Sequence, residues 1–297
     1  MANLNYAVDY QQELSQVFPY VLNFGALYAA PNNGRYRFTN AKTIEIPIIS
    51  TTGRKDANRD TITTPGRHFD NQWEPLTLTN QRMWDTLVHP ADINQTNMVA
   101  SIGNITKVYN EEQKFPEMDA YCISKIYADW IAKSKTADTT VLTEANILSK
   151  FDDLMQKMDE ARVPVQGRIL YVTPAIKTLL KNASAITRQI TSDGSNDGVI
   201  KRTVNRLDEV EIVSVTSDLM KTVFDFTSGW VAGVGAKQIN MCLIHPLAVI
   251  TPVSYSSALL DEPSAKTQNK YYYYEESFED VFILPNKVNA IDFVISA

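Results

Sequence analysis

Phe115–Ser134, FPEMDAYCISKIYADWIAKS, is the stretch whose reading organises the remainder of the chain. Phe115, Met118, Cys122, Ile126 and Trp130 recur at three- and four-residue steps, and Ile123, Tyr127 and Ile131 form an adjoining row. That spacing stacks apolar side chains on one broad face and predicts a helix with a core-facing side. Pro116 suits a first helical turn, where its missing N–H costs nothing. Glu117 and Asp119 then fall near the positive end of the helix dipole, and Lys133 and Lys135 near the negative end. At about 1.5 Å per residue such a helix is on the order of 30 Å long, enough for a strut.

Downstream, LTEANILSKFDDLMQKMDEARVP (142–164) carries a capping signal at Thr143 and Asn146 and an apolar row of Ile147, Phe151, Leu154, Met155 and Met158. GRILYVTP (167–174) reads as a short, almost wholly apolar strand, and Pro174 opens a further helix, AIKTLLKN. Strands are expected at EVEIVSV (209–215) and QINMCLIHPLAVITPV (238–253), joined by a connection containing Gly229, Gly233 and Gly235. Two more are expected around a Pro285-Asn286 turn. The region after the central helix therefore predicts a compact α/β body.

Upstream, the chain is poor in core. Residues 4–30 place Tyr6, Tyr10, Leu14, Val17 and Val21 at helical spacing, with Pro19 as a break, and predict an arm packed on something else, such as a neighbouring subunit. In 39–50, Ile44, Ile46 and Ile48 alternate with polar residues, a half-exposed strand with Pro47 marking an edge. Residues 51–72 are almost purely polar and cannot bury enough apolar surface to fold alone. Trp73, Leu76 and Leu78 then form one strand limb, and Trp84, Thr86 and Val88 another. Residues 39–88 are expected to make a long two- or three-stranded hairpin with a polar tip. A lone hairpin is marginal in water, so its stability should come from another chain.

With 297 residues, 44% of them hydrophobic, the chain can bury a core and divide into more than one domain. A net charge of −6 supplies no global basic field for nucleic acid. Cys122 and Cys242 lie in apolar stretches and read as buried thiols of a reducing compartment. No basic-then-apolar leader opens the sequence, and no apolar run reaches the roughly 20 residues of a bilayer span, so a soluble protein made in the cytoplasm is expected.

Chemistry is sparse. His68, His89 and His245 sit in separate elements without an adjacent nucleophile, which argues against a catalytic or metal site. The two cysteines lack zinc spacing. Asp193-Gly194-Ser195-Asn196-Asp197-Gly198 imitates the first half of a calcium loop, but Val204 stands where the bidentate glutamate belongs. No phosphate-cradling glycine motif is present. Tyr271–Tyr274 offers a stacking platform on its face; strand alternation would send two rings to each side, which makes sheet packing the simpler reading. Arg54, Lys55, Arg59 and Arg67 are interleaved with Asp56, Asp60 and Asp70, a mixture that suits an inter-subunit ion-pair surface better than a phosphate groove. No enzyme, metal or cofactor is expected.

The order of these elements resembles the major capsid proteins of tailed bacteriophages, with the Hong Kong 97-type fold, an α+β architecture. KTIEIPIISTTGRKDANRD, EPLTLTNQRMWDTLVHPADINQTN and FPEMDAYCISKIYADWI carry the resemblance first. VPVQGRILYVTPAIKTLLKN, VNRLDEVEIVSVTSDLM, QINMCLIHPLAVITPV and ESFEDVFILPNK extend it through the body. Their colinearity over nearly the whole chain, more than any one stretch, makes the match.

The resemblance implies an N-terminal arm (1–35), an extended E-loop (36–90), a peripheral domain with the spine helix (91–165), an axial domain (166–265) and return strands of the peripheral domain (266–297). It implies a non-enzymatic shell protein that assembles with itself into pentamers and hexamers of an icosahedral head, in the virion, after assembly in the host cytoplasm. Packaged double-stranded DNA would be met only by non-specific proximity, with no membrane involved. A portal and, because no long extra N-terminal region is present, a separate scaffolding protein would be further partners. The inter-subunit contact is expected at the E-loop tip, Arg54, Lys55, Asp56, Arg59, Asp60, Arg67 and His68, and the spine-helix core at Phe115, Met118, Cys122, Ile126 and Trp130. Some members cross-link an E-loop lysine to an asparagine, for which Lys55 and Asn289 are candidates; no such bond is expected here. At a turn that is usually Asp-Gly in the family this chain has Asp208-Glu209. The rival readings are an encapsulin, a cargo-enclosing shell of the same fold, and an α/β hydrolase, which the scattered histidines disfavour.

Overall fold

The computed structural model describes residues 20–34, 36–40, 42–56, 60, 66–96, 98–183 and 206–297. The calcium-like loop at 193–204, Arg59 and the arm before Tyr20 lie outside them. In chain order the elements are α1 (Gly25–Tyr28), β1 (Arg37–Asn40), β2 (Thr43–Thr51), β3 (Phe69–Thr77), β4 (Gln81–Val88), α2 (Pro90–Gln95), α3 (Ile102–Tyr109), α4 (Phe115–Ala132), α5 (Ile147–Glu160), β5 (Ile169–Val172) and α6 (Pro174–Asn182). There follow β6 (Arg206–Leu207), β7 (Val210–Ser214), β8 (Phe224–Asp225), β9 (Val231–Ala232), β10 (Ile239–Ile244), β11 (Val249–Ile250), β12 (Val253–Asp261), β13 (Tyr271–Glu279), β14 (Phe282–Ile283) and β15 (Ile291–Ile295).

The spine helix α4 is where the periodicity places it. Cys122, Ile123, Ile126 and Trp130 are buried, Phe115 and Met118 half-buried, while Ile131 emerges to solvent beyond the core. Pro116 stands in the first turn of α4, as the sequence reading places it, but the chain is already helical before it: α3 runs through a π-helical turn at Asn110–Lys114 directly into α4. A proline inside a helix removes an i→i−4 bond and crowds the preceding turn, and a widened turn just before it relieves that conflict. Asp119 therefore lies well within the helix and takes no part in capping its N-terminus. Its buried carboxylate instead accepts bonds from the backbone N–H of Asn23 (2.8 Å) and of Phe24 (3.3 Å), and from the Tyr20 hydroxyl. Residues 20–34 consequently pack on their own chain, with Phe24 and Leu27 fully buried. The expectation of an arm seated on a neighbour does not hold for this described part.

A five-stranded sheet of order β15-β10-β5-β7-β6 forms the centre of the body, parallel only between β5 and β7. Both of its faces are covered, which is why β5 reads as an unbroken apolar run. Ile169, Tyr171, Cys242 and Ile244 point to the spine side, and Leu170, Val172, Met241 and Leu243 to α5 and α6. Arg168, wholly buried, fastens α5 to β5 through Asp159 (2.6 Å) and the carbonyls of Val163 and Pro164. Between β6 and β7, Asp208 and Glu209 have φ of 47° and 67°, the two left-handed residues of a type I′ turn. The turn geometry persists although glycine is absent.

The two limbs expected to pair within 73–88 separate. β3 pairs with β2 from Thr43↔Thr77 to Thr51↔Phe69, but β4 joins a second sheet, β12-β13-β4. Its partner lies about two-thirds of the chain away, beyond the reach of local pattern. Residues 266–297 are also divided: β13 lies in that second sheet, whereas β15 pairs with β10 in the body.

Candidate assembly surfaces

The β2–β3 hairpin rises from a small core of Ile44, Ile46, Leu78, Ile250, Phe278 and Phe282 at its root. β1 pairs β2 only as far as Glu45, so Pro47 sits where β2 has become an edge and no ladder bond is lost. Directly opposed residues share a face, and the register puts Pro47 beside Trp73, Ile49 beside Asn71 and Thr51 beside Phe69. The distal hairpin thus presents an apolar face whose Ile49, Phe69 and Trp73 are 68%, 53% and 49% exposed. Sequence reading missed these residues because the charges between them drew attention to the tip; the alternation of Ile49 with Ser50 and of Phe69 with Asp70 was the available signal.

The expected tip residues Arg54, Lys55, Asp56, Asp60, Arg67 and His68 are all exposed, and Arg67 lies over the Phe69 ring at 5.5 Å. They crown the apolar face at the far end from the root.

The second sheet has one face against the spine. Trp84 stacks on Tyr109 (3.9 Å between centroids, 8°), Arg82 meets Glu117 at 2.6 Å, and Lys114 meets Glu275 at 2.9 Å. The other face carries Met83, Leu87, Tyr255, Leu259, Tyr272 and Tyr274, with Met83 and Leu259 well exposed. The four consecutive tyrosines are split by strand alternation, with Tyr273 beside Trp84 and the rings of Tyr272 and Tyr274 paired on the outer face at 6.4 Å. Asp85, Asp261 and Glu276 lie on this outer face and make it acidic, whereas the hairpin tip mixes Arg54, Lys55 and Arg67 with Asp56, Asp60 and Asp70, so only its cations complement that face.

The three histidines lie in three separate settings. His68 is exposed on the hairpin, His89 caps α2 by accepting the Ala91 N–H (3.1 Å), and His245 accepts the Leu247 N–H while its other ring nitrogen meets the Gln166 carbonyl at 3.1 Å. Burial holds the His245 imidazole below its ordinary pKa. Burial likewise pushes the thiols of Cys122 and Cys242 well up, which leaves them unreactive. Asn289 accepts a bond from Lys135 of its own chain. Among the described residues no group of three or more histidine, cysteine or acidic side chains is arranged to hold a metal ion, and no helix is long and apolar enough to cross a membrane.

No family model matches the chain, and no curated protein does. Solved structures do, over nearly its full length. A structure from Mycobacterium phage Che8 matches with a TM-score of 0.67 at 14% identity, covering 99% of this chain and 98% of the other. The capsid structure of cyanophage P-SCSP1u matches at 0.65 and 12% identity, covering 98% and 93%. The mature capsid of bacteriophage PhiM1 matches at 0.64 and 12% identity, covering 100% and 92%. The fold is that of phage capsid subunits, an α+β architecture, as the resemblance in the sequence implies.

Proposed function

We propose that this chain is the major capsid protein of a tailed bacteriophage, a structural subunit that assembles with copies of itself into the shell of the head. The observation that carries this reading is the end-to-end likeness to capsid structures, in which the hairpin and both sheets are included in the match. A long hairpin with an apolar face that its own chain leaves open fits the same reading. A monomeric soluble protein gains nothing from such a surface.

In this reading the hairpin of one copy lies on the outer face of the β12-β13-β4 sheet of the next. Trp73, Phe69 and Ile49 meet Tyr255, Leu259, Met83 and Leu87, and Arg54, Lys55 and Arg67 meet the acidic residues of that face. Such a heterologous contact closes into rings, which pentamers and hexamers require. Residues 36–90 serve as the E-loop, 91–165 as the peripheral domain with its spine, 166–265 as the axial domain, and 266–297 as return strands shared between peripheral and axial sheets. The subunit acts without catalysis or cofactor. A scaffolding protein and a portal complete the assembly, and double-stranded DNA is enclosed without specific recognition.

Replacing Gly53–Arg67 by a short Gly-Ser turn tests the reading. Thermal melting by circular dichroism should stay nearly unchanged while closed shells disappear from electron micrographs. Normal closed shells from the shortened protein would remove the charged tip, though not the apolar face of Ile49, Phe69 and Trp73, from the assembly interface.

A further inference from the structure

The angle at which the hairpin leaves the body decides where it can reach, and beside the small apolar core at its root one buried side chain ties it to the spine helix. Asp280, 1% exposed, follows β13 and accepts four hydrogen bonds from three places. The backbone N–H and the hydroxyl of Thr79, in the turn that ends β3, donate at 2.7 and 3.1 Å. The Tyr121 hydroxyl, on the spine helix, donates at 2.7 Å, and the Val281 N–H at 2.8 Å. No cation lies within ion-pair distance among the described residues, so neutral donors alone hold the buried carboxylate. The backbone adds Glu279 N–H to the Asn80 carbonyl (3.1 Å) across the same junction.

Apolar packing alone does not fix this joint. A solvent-open pocket of about 200 Å³ lies beside that core, lined by Ile46 and Pro47 of the hairpin and by Asn32, Ile250, Leu284 and Lys287 of the body. Packing on that side is therefore incomplete, whereas hydrogen bonds to a fixed acceptor are directional.

We propose that Asp280 is a positioning residue for assembly: it ties the hairpin root to the spine helix through Thr79 and Tyr121, and so fixes the direction in which the hairpin is presented to the next subunit. This rests on the shell reading above, but the tie itself can be measured in the unassembled chain. An amide in place of the carboxylate would turn one acceptor into a donor facing the Thr79 N–H or the Tyr121 hydroxyl. Tyr121→Phe is gentler, removing one donor and leaving the Thr79 pair.

The experiment places spin labels on the full chain at Thr52→Cys on the hairpin and Asp152→Cys on α5, since the native Cys122 and Cys242 are buried and do not label. Double electron–electron resonance on unassembled protein should give a narrow distance distribution for the parent. It should be broadened or displaced in Asp280→Asn and in Tyr121→Phe, with at least tenfold faster exchange of the Thr79 amide. Leu180→Ala, a core truncation remote from the root, should lower the melting temperature and leave the distribution alone. If Asp280→Asn does not fold, Tyr121→Phe decides. An unchanged distribution in Tyr121→Phe, with only a lower melting temperature, would overturn the proposal. So would a broadened distribution combined with shells of normal yield and uniform diameter, because the tie would then not position the hairpin for assembly. If the parent forms no shells while the distributions still respond, the shell reading has failed and the tie at the root stands.

Discussion

Trp130 near the C-terminal end of the spine offers a graded test of how the helix is held. It is 2% exposed and packs edge-on against Phe293 of β15, with centroids 5.2 Å apart at 64°. Its indole Nε1 is buried without a hydrogen-bond partner among the described residues. Two opposing terms follow. Truncation to alanine empties an aromatic-sized space and should cost about 3–5 kcal/mol. Phenylalanine keeps most of the apolar contact and deletes the orphan N–H, whose desolvation penalty is about 1–3 kcal/mol, so Trp130→Phe should cost under about 1.5 kcal/mol. Aspartate adds a buried, unpaired carboxylate to the cavity and should exceed the alanine cost by several kcal/mol, enough to prevent folding. Urea unfolding of unassembled subunits, followed by circular dichroism, gives the three differences. A Trp130→Phe cost equal to that of Trp130→Ala would refute the reasoning, because it would mean that the indole N–H makes a bond worth keeping. An unchanged midpoint for Trp130→Asp would remove Trp130 from the core altogether.

Two further outcomes follow from the fold. Glu209→Gly should stabilise the chain by roughly 1 kcal/mol, since a non-glycine left-handed residue costs about 1–2 kcal/mol and glycine returns part of that as chain entropy; a lower urea midpoint would show that the Glu209 side chain makes a contact of greater worth. Burial, aided by Glu117 and Asp280 and opposed by Lys114, raises the Glu279 carboxyl above its usual 4.5. Native Glu279 thus holds its proton to higher pH than unfolded Glu279, and its contribution is fully present below pH 4.5 and lost as pH rises through the native value. Glu279→Gln should remove that part of the pH dependence, and melting curves at pH 5 and 8 that shift equally in parent and variant would contradict it.

Much of this was legible in the sequence because the signals were local. The rows at Cys122–Ile126–Trp130 and Ile147–Phe151–Leu154 specify helix faces by spacing alone, and ILYV at 169–172 is apolar throughout because both faces of its sheet are covered. Non-local facts were not legible. The partner of β4 is β13, nearly two hundred residues later, and no pattern in QRMWDTLV names it. Pro116 marks the first turn of α4, but nothing in the sequence announces that α3 leads into it without a break through a π-helical turn. Asp119 reads as an acid near the positive end of a helix dipole and nothing in the sequence marks Asp280, yet both are buried acceptors that fix the arm segment and the hairpin root. The interface was placed at the charged tip, whereas the apolar face behind it offers more energy per residue: exposed ion pairs contribute about 0–1 kcal/mol, a buried aromatic or aliphatic side chain about 1.5–3.

Electron cryomicroscopy of the purified, expressed full chain, with Trp73→Asp beside it, tests the central claim most directly. The account predicts closed shells or capsomer rings in which each β2–β3 hairpin lies across the outer face of a neighbour's β12-β13-β4 sheet, and dispersed, folded subunits for Trp73→Asp. Parent protein that remains monomeric at high concentration, or shells in which the hairpin face meets only solvent, would contradict it.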